Sequence, residues 1–142
     1  MRVFFDTNIL LDVLLNREPF AADSGNAILR CEANGAQMFI AWHGLATAYY
    51  LLKRGRTETA ALAEVDKILA WARIADGSDV LVRRARAMGF DDFEDALQAV
   101  AAEACAADWI VTRNVPDFSR STVPAILPAD FLREIAARTK LE

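Results

Sequence analysis

Short apolar runs recur along the chain, and helical periodicity fills the intervals between them. They lie at Arg2–Phe5, Gln37–Ala41 and 109–112, with weaker ones at 73–75 and 123–127. A chain that alternates strands with helices in this way lays its helices over both faces of a parallel sheet. The pattern predicts a three-layer α/β/α domain with a mainly parallel, roughly five-stranded sheet. No repeat, linker or low-complexity stretch divides it, so residues 1–142 read as a single domain, long enough for a sizeable core.

The helices are legible from period and punctuation. Ile9, Leu10, Val13 and Leu14 mark a helix starting soon after Asn8. Pro19 suits the first turn of a second one, which stops near Asn34-Gly35. A third covers 44–54, and a fourth follows Thr57 with Leu62, Val65, Ile68 and Leu69 on its apolar face. Ser78 caps a short helix through Arg86. Asp91 caps a longer, Ala-rich one over 92–107, with Glu94 placed for a capping box, and Pro128 opens the last helix.

Composition excludes several classes. A net charge of −4 and a pI near 5.0 argue against nucleic-acid binding through bulk charge, which draws on phosphate neutralisation. Any such contact needs a local basic patch, metal ions or a partner. Hydrophobic residues make up 54% and mean hydropathy is +0.16, yet no apolar run approaches a membrane span. Met1 leads into a strand rather than a signal peptide. Cys31 and Cys105 lack metal-ligand spacing, and a reducing, cytoplasmic setting is expected. Lys140, Leu141 and Glu142 carry no functional weight.

The acids point to chemistry. Asp6 follows Val3-Phe4-Phe5 directly and sits at the carboxyl end of a buried strand, the edge where open α/β sheets bind ligands. A carboxylate there is costly unless it is paired or holds a metal. Asp12, the run Asp91-Asp92-Phe93-Glu94-Asp95 and Asp117 are the other acids near strand ends or helix starts. Asp92 and Asp95 share a helix face. Asp95 heads a surface of small residues, Ala99, Ala102 and Ala106, suited to close approach to the sheet. Asn114 and Asp117 come just after the strand at 109–112. With the first and fourth strands as neighbours, Asp6, Asp95 and Asp117 converge on one crevice. A divalent cation relieves the repulsion of crowded carboxylates, and hard oxygen ligands suit Mg²⁺ or Mn²⁺ rather than Zn²⁺. A plainer reading stands beside this one. Asp91 to Asp95 can serve only the helix dipole, Asp6 can be an N-cap, and Asp117 a loop acid.

At these residues the sequence resembles the PIN-domain family, in particular its VapC-like toxin ribonucleases. The likeness rests on Val3-Phe-Phe-Asp-Thr-Asn8, Asp92-Phe-Glu-Asp-Ala-Leu-Gln98 and Ile110-Val-Thr-Arg-Asn-Val-Pro-Asp-Phe118, and on the stretch Pro124-Ala-Ile-Leu-Pro-Ala-Asp-Phe-Leu132. The resemblance implies that Asp6, Asp95 and Asp117 bind Mg²⁺ or Mn²⁺. It implies that Asn8 and Asn114 are polar groups near the metal, and that Asp92 adds a carboxylate in a branch with the Asp-Phe-Glu-Asp-Ala-Leu pattern. Many members carry a Glu in the helix after the second strand. Here Thr47 stands near that position with no acid nearby, and a Thr can only hydrogen-bond a metal-bound water. The family also implies homodimers and an inhibitory antitoxin.

The expected activity is metal-dependent hydrolysis of RNA phosphodiester bonds, as the toxin of a toxin–antitoxin pair. A metal-activated water attacks phosphorus, and no side-chain nucleophile is required. The sequence agrees by omission, with one His, no P-loop and no Gly-rich phosphate cradle. His43 reads as structural rather than as a base. The groups Lys53, Arg54, Arg56 and Arg83, Arg84, Arg86 read as solvated helix faces, which leaves Arg113 as the better phosphate-binding candidate. Trp42, Tyr49 and Tyr50 read as packing or a dimer surface rather than base-stacking platforms. Leu51, Leu52, Leu62, Val65, Leu69 and Trp71 give the third and fourth helices more apolar surface than a small sheet needs, which suits a homodimer or an antitoxin groove. The alternative from another class is a catalytically weak PIN-like module that binds RNA or a protein partner. A haloacid-dehalogenase-type phosphotransferase needs a second acid where Asn8 stands, and a receiver domain carries its acceptor Asp after a later strand.

Overall fold

In the computed structural model, which describes residues 1–139, β1 (Arg2–Phe5) decides the layering. Its Val3 and Phe5 side chains enter one core and Phe4 enters the other, as the two-residue period of a strand requires. The chain continues through α1 (Thr7–Leu14), α2 (Ala21–Ala33), β2 (Gln37–Ala41), α3 (Trp42–Leu52), α4 (Glu58–Trp71) and β3 (Ala72–Ala75). It then forms α5 (Asp79–Ala87), α6 (Phe93–Ala104), β4 (Trp109–Val111), a 3-10 turn (Val115–Phe118), β5 (Ala125–Ile126) and α7 (Pro128–Thr139). The sheet order is β3-β2-β1-β4-β5 and every pairing is parallel. This is the expected three-layer α/β/α architecture. Lys140, Leu141 and Glu142 lie outside the described residues.

On one face, Val3, Phe5, Met38, Ile40 and Val111 pack with Ile9, Leu10, Ala27, Ile28, Ile68, Phe131 and Ile135 from α1, α2, α4 and α7. On the other, Phe4, Ala41, Ala75 and Ile110 meet Ala99 and Ala102 of α6. The small side chains let α6 lie close to the sheet, and α5 packs outside it through Ala85. Phe4 is registered with Phe39 on one side and with Ile110 on the other, so β1 is flanked by β2 and β4. The connections leave β1 towards one edge of the sheet and β4 towards the opposite edge. A crevice therefore opens beyond their carboxyl ends.

The ends of three helices differ most from expectation. Pro19 precedes α2 rather than lying in its first turn, because the Arg17 carbonyl first accepts the N–H groups of Phe20 and Ala21 in a turn. α3 begins two residues early, at Trp42, and ends at Leu52. α6 is capped by Asp92, not Asp91, and stops at Ala104 instead of Ala107. Its end is a Schellman motif: the Ala106 N–H donates to Glu103 O and the Ala107 N–H to Ala102 O. Ala106 takes φ +51 to make that turn, so it is not part of the helical surface headed by Asp95.

Candidate metal centre

Asp6 occupies the junction between β1 and α1. Its N–H donates to Val111 O at 3.0 Å, which extends the β1–β4 ladder by one bond. It holds the N-cap position of α1 but makes no side-chain cap. Instead the carboxylate accepts the Thr112 hydroxyl at 2.7 Å, across from the end of β4. Only 4% of Asp6 is exposed. Burial pushes its pKa up to about 6, against the opposing Thr112 hydrogen bond, and the Glu94 charge raises it further.

Asp95 lies in the first turn of α6. Its pKa is pushed up to about 7 by burial first, and then by the charges of Asp6, Asp92, Glu94 and Asp117. The fold thus brings the carboxylates expected from sequence into mutual range around Asp95. Asp92 serves two ends: its Oδ1 accepts the Asp95 N–H at 3.1 Å as the helix cap, and oxygens of Asp92, Glu94 and Asp95 lie within 4.8 Å of one another. Asp117 sits in the 3-10 turn, and its N–H donates to Asn114 O at 3.0 Å. A cleft of about 80 Å³ is lined by Asp91, Asp92, Asp95, Asp117 and Arg120, with Phe90 and Pro116 as apolar walls.

Beneath the acids is a polar network. Gln98, fully buried on α6, donates through Nε2 to Thr7 Oγ1 at 2.5 Å and to Glu94 Oε1 at 2.7 Å. His43 Nε2 stands 3.5 Å from Glu94 Oε1. Burial pushes Glu94 up, but His43, Gln98 and Thr7 together hold its pKa below the ordinary carboxylate value. His43 is therefore a partner of Glu94, in keeping with a structural role. Gly44 completes the floor, since a Cβ there would stand 2.6 Å from Thr7 Oγ1.

The other expected positions divide. Asn8 donates through Nδ2 to Thr112 Oγ1 at 3.3 Å and faces the Arg113 N–H at 3.5 Å, beside Asp6. Asn114 donates its backbone N–H to Thr112 Oγ1 at 3.0 Å and exposes its side chain. Arg113, expected at the phosphate, has its guanidinium occupied elsewhere: Nε donates to Asp12 at 2.7 Å and the plane covers the Phe20 ring at 4.1 Å. Thr47 is exposed and its hydroxyl donates to His43 O. Among the described residues, α3 brings no carboxylate to the centre.

Sequence reasoning missed Thr112 and Arg120 and gave Glu94 only a capping-box role, whereas its carboxylate pairs with Gln98 and His43. Glu94 and Gln98 are four apart on one helix face, a signal that was available. Thr112 becomes visible only once β4 is known to flank β1. The Arg120 guanidinium lines the acidic cleft and has no ion-pair or hydrogen-bond partner among the described residues. It lies over Gly89, where a Cβ would meet Nη1 at 2.8 Å. Gly89 has φ +70, so the turn that makes room for the guanidinium also favours glycine.

A comparison with protein families matches residues 2–116 to the PIN domain. The chain belongs to the PIN-domain family, whose members are nucleases that generally use a divalent metal. Among solved structures, its fold is similar to one described as the crystal structure of VapBC2 from Rickettsia felis bound to a DNA fragment from their promoter. That likeness has a TM-score of 0.70 and 20% identity, and it covers 89% of this chain and 98% of the other. No curated protein matches the chain. No helix among the described residues is long and apolar enough to cross a membrane.

Proposed function

We propose that the protein is a Mg²⁺- or Mn²⁺-dependent endoribonuclease and the toxin member of a toxin–antitoxin pair. The observation that carries this reading is the crowding at Asp95, whose carboxyl is pushed up to about 7 by burial and four neighbouring acids. Such an arrangement is unfavourable alone and is relieved by a divalent cation. The donor set fits a hard ion: it consists of carboxylates, without thiolate or neutral imidazole.

Asp6, Asp95 and Asp117 would hold the cation, with Asp92 and Glu94 as further carboxylates at its edge. When bound, a divalent ion lowers the pKa of a water and offsets negative charge on a scissile phosphate. The chain supplies the rest. Thr112 fixes the Asp6 carboxylate through its 2.7 Å hydrogen bond, and Gln98 and His43 hold Glu94. Arg120, a cation without a partner among the described residues, is placed to meet an RNA phosphate entering the cleft. The amides of Asn8 and Asn114 flank the carboxylates as polar contacts for substrate.

An antitoxin partner and a homodimer fit the exposed apolar side chains on α3 and α4, Tyr50, Leu62 and Leu69, and the likeness to a VapBC2 fold. The cytoplasm is the compartment in which such a pair would act. The binding-module alternative is favoured by Thr47, which leaves α3 without an acid at the centre. The deciding experiment is cleavage of a mixed single-stranded RNA pool with Mn²⁺ and then with EDTA, comparing wild type with Asp95→Asn, alongside Mn²⁺ calorimetry. Metal-dependent cutting that the variant loses supports the nuclease. Absence of both cutting and Mn²⁺ binding leaves the binding module.

A further inference from the structure

The least expected feature beside the acidic cleft is a buried ion pair outside it. Asp12, on α1, is completely buried. Its Oδ2 accepts from Arg113 Nε at 2.7 Å and from Ser24 Oγ at 3.1 Å, while Oδ1 has no hydrogen-bond partner among the described residues. The Arg113 guanidinium is covered on one side by the Phe20 ring at 4.1 Å. Three elements, α1, the start of α2 and the segment after β4, are therefore joined through one charged contact.

That segment is also the one that brings Asn114 and Asp117 to the centre. Next to Arg113, the Thr112 hydroxyl donates to Asp6 and accepts from the Asn8 side chain and the Asn114 N–H. Asn114 O in turn accepts the Asp117 N–H. A short chain of hydrogen bonds thus runs from the Asp12–Arg113 pair to the Asp6 carboxylate on one side and to the Asp117 backbone on the other. We propose that Arg113 is a positioning residue, not a phosphate contact: held by Asp12 and Phe20, it sets the 112–117 segment against β1 so that Asp6, Asp95 and Asp117 keep the separation a divalent cation requires. This rests on the metal-centre reading above.

Chemistry favours the assignment. Turning Arg113 towards a substrate phosphate would leave Asp12 charged, buried and short of its ionic partner, which is strongly unfavourable. Planar stacking on Phe20 and the short Nε contact to Asp12 also hold the guanidinium in one orientation.

The two roles predict opposite signs for metal binding. Removing a positive charge from beside a carboxylate cluster, with geometry unchanged, tightens Mn²⁺ binding. Removing a positioning contact weakens it, as loss of groups that orient metal ligands typically does by about 10- to 100-fold. The test is Mn²⁺ titration by calorimetry on the full chain without RNA, for wild type, Arg113→Lys, Arg113→Gln and the double variant Asp12→Asn/Arg113→Gln. The double variant removes the unpaired buried charge that could unfold the single one, and circular dichroism reports the folding of each.

The expected result is Mn²⁺ binding weakened about 10-fold or more in the folded double variant. Partial recovery is expected in Arg113→Lys, with kcat for RNA lowered and KM within about twofold of wild type. A folded double variant that binds Mn²⁺ as tightly as wild type or tighter, with a raised KM, overturns the proposal and returns Arg113 to the phosphate. Failure of the wild type itself to bind Mn²⁺ overturns the metal-centre reading instead.

Discussion

Replacing Asp95 by Asn should stabilise the metal-free protein while destroying its response to metal. The Asp95 carboxyl is held at about 7 against an ordinary 3.8, so ionising it at neutral pH opposes folding. At about 1.4 kcal/mol per pH unit the displacement corresponds to about 4 kcal/mol. The side chain is only partly buried, and solvent screening reduces this to about 1–2 kcal/mol. Asp95 makes no side-chain hydrogen bond among the described residues, so the amide sacrifices little. For a chain of this size the gain corresponds to an increase in Tm of about 3–6 °C. Its pH dependence follows from a folded pKa raised above the unfolded one. Wild type and variant differ little below about pH 4, where both side chains are neutral; the gap grows between pH 4 and 7 and is complete above 7. Mn²⁺ inverts the order. At about 100 times Kd it stabilises the wild type by about 2.7 kcal/mol and leaves the variant without that gain. Thermal melts at pH 5 and pH 8, in EDTA and in Mn²⁺, test all four corners. An Asp95→Asn protein no more stable than wild type at pH 8 in EDTA would refute the crowding argument.

Other outcomes follow from the same geometry. Lowering the pH from 7.5 to 5.5 should weaken Mn²⁺ binding, because Asp95 at about 7 and Asp6 at about 6 take up protons that the metal must displace. Calorimetry in two buffers of different ionisation enthalpy counts those protons. Gly44→Ala should cost about 1–3 kcal/mol in urea unfolding, because its Cβ meets Thr7 Oγ1 at 2.6 Å and spreads the floor under Glu94. Arg120→Ala should raise KM for RNA several-fold and shift stability by no more than about 0.5 kcal/mol, since its guanidinium has no partner among the described residues. An unchanged KM would remove Arg120 from the substrate path.

Local rules made much of the fold legible. Thr57 and Ser78 cap α4 and α5 as their hydroxyls predict. Gly35, at φ +63, ends α2 with the same pair of hydrogen bonds that Ala106 makes after α6. Glycine announces such a stop and alanine does not, which is why α6 reads too long in sequence. Sequence pointed to Asp91 as the cap, one residue before the acid whose Oδ1 reaches Asp95 N, because adjacent acids offer the same side chain and only the backbone selects between them. At the site, the order of the acids was enough to suggest convergence, since each follows a strand or opens a helix. The role of Arg113 was hidden because its partner Asp12 is a hundred residues away and looks, in sequence, like any acid on a helix.

The pairing of β1 with β4 also sets a timetable. Asp6 leaves the ribosome early, yet its hydrogen-bond partner Thr112 is 106 residues further on. At about 5–20 residues per second, about 5–20 s of translation separate the two. Until β4 is made, Asp6 has neither the Val111 carbonyl for its N–H nor the Thr112 hydroxyl for its carboxylate, and Asp117 does not exist. The centre is therefore assembled in one late step rather than built up as the chain emerges. A growing polypeptide surrounded by ribosomal RNA carries Asp6 and Asp95 but not the arrangement in which they would share a cation with Asp117.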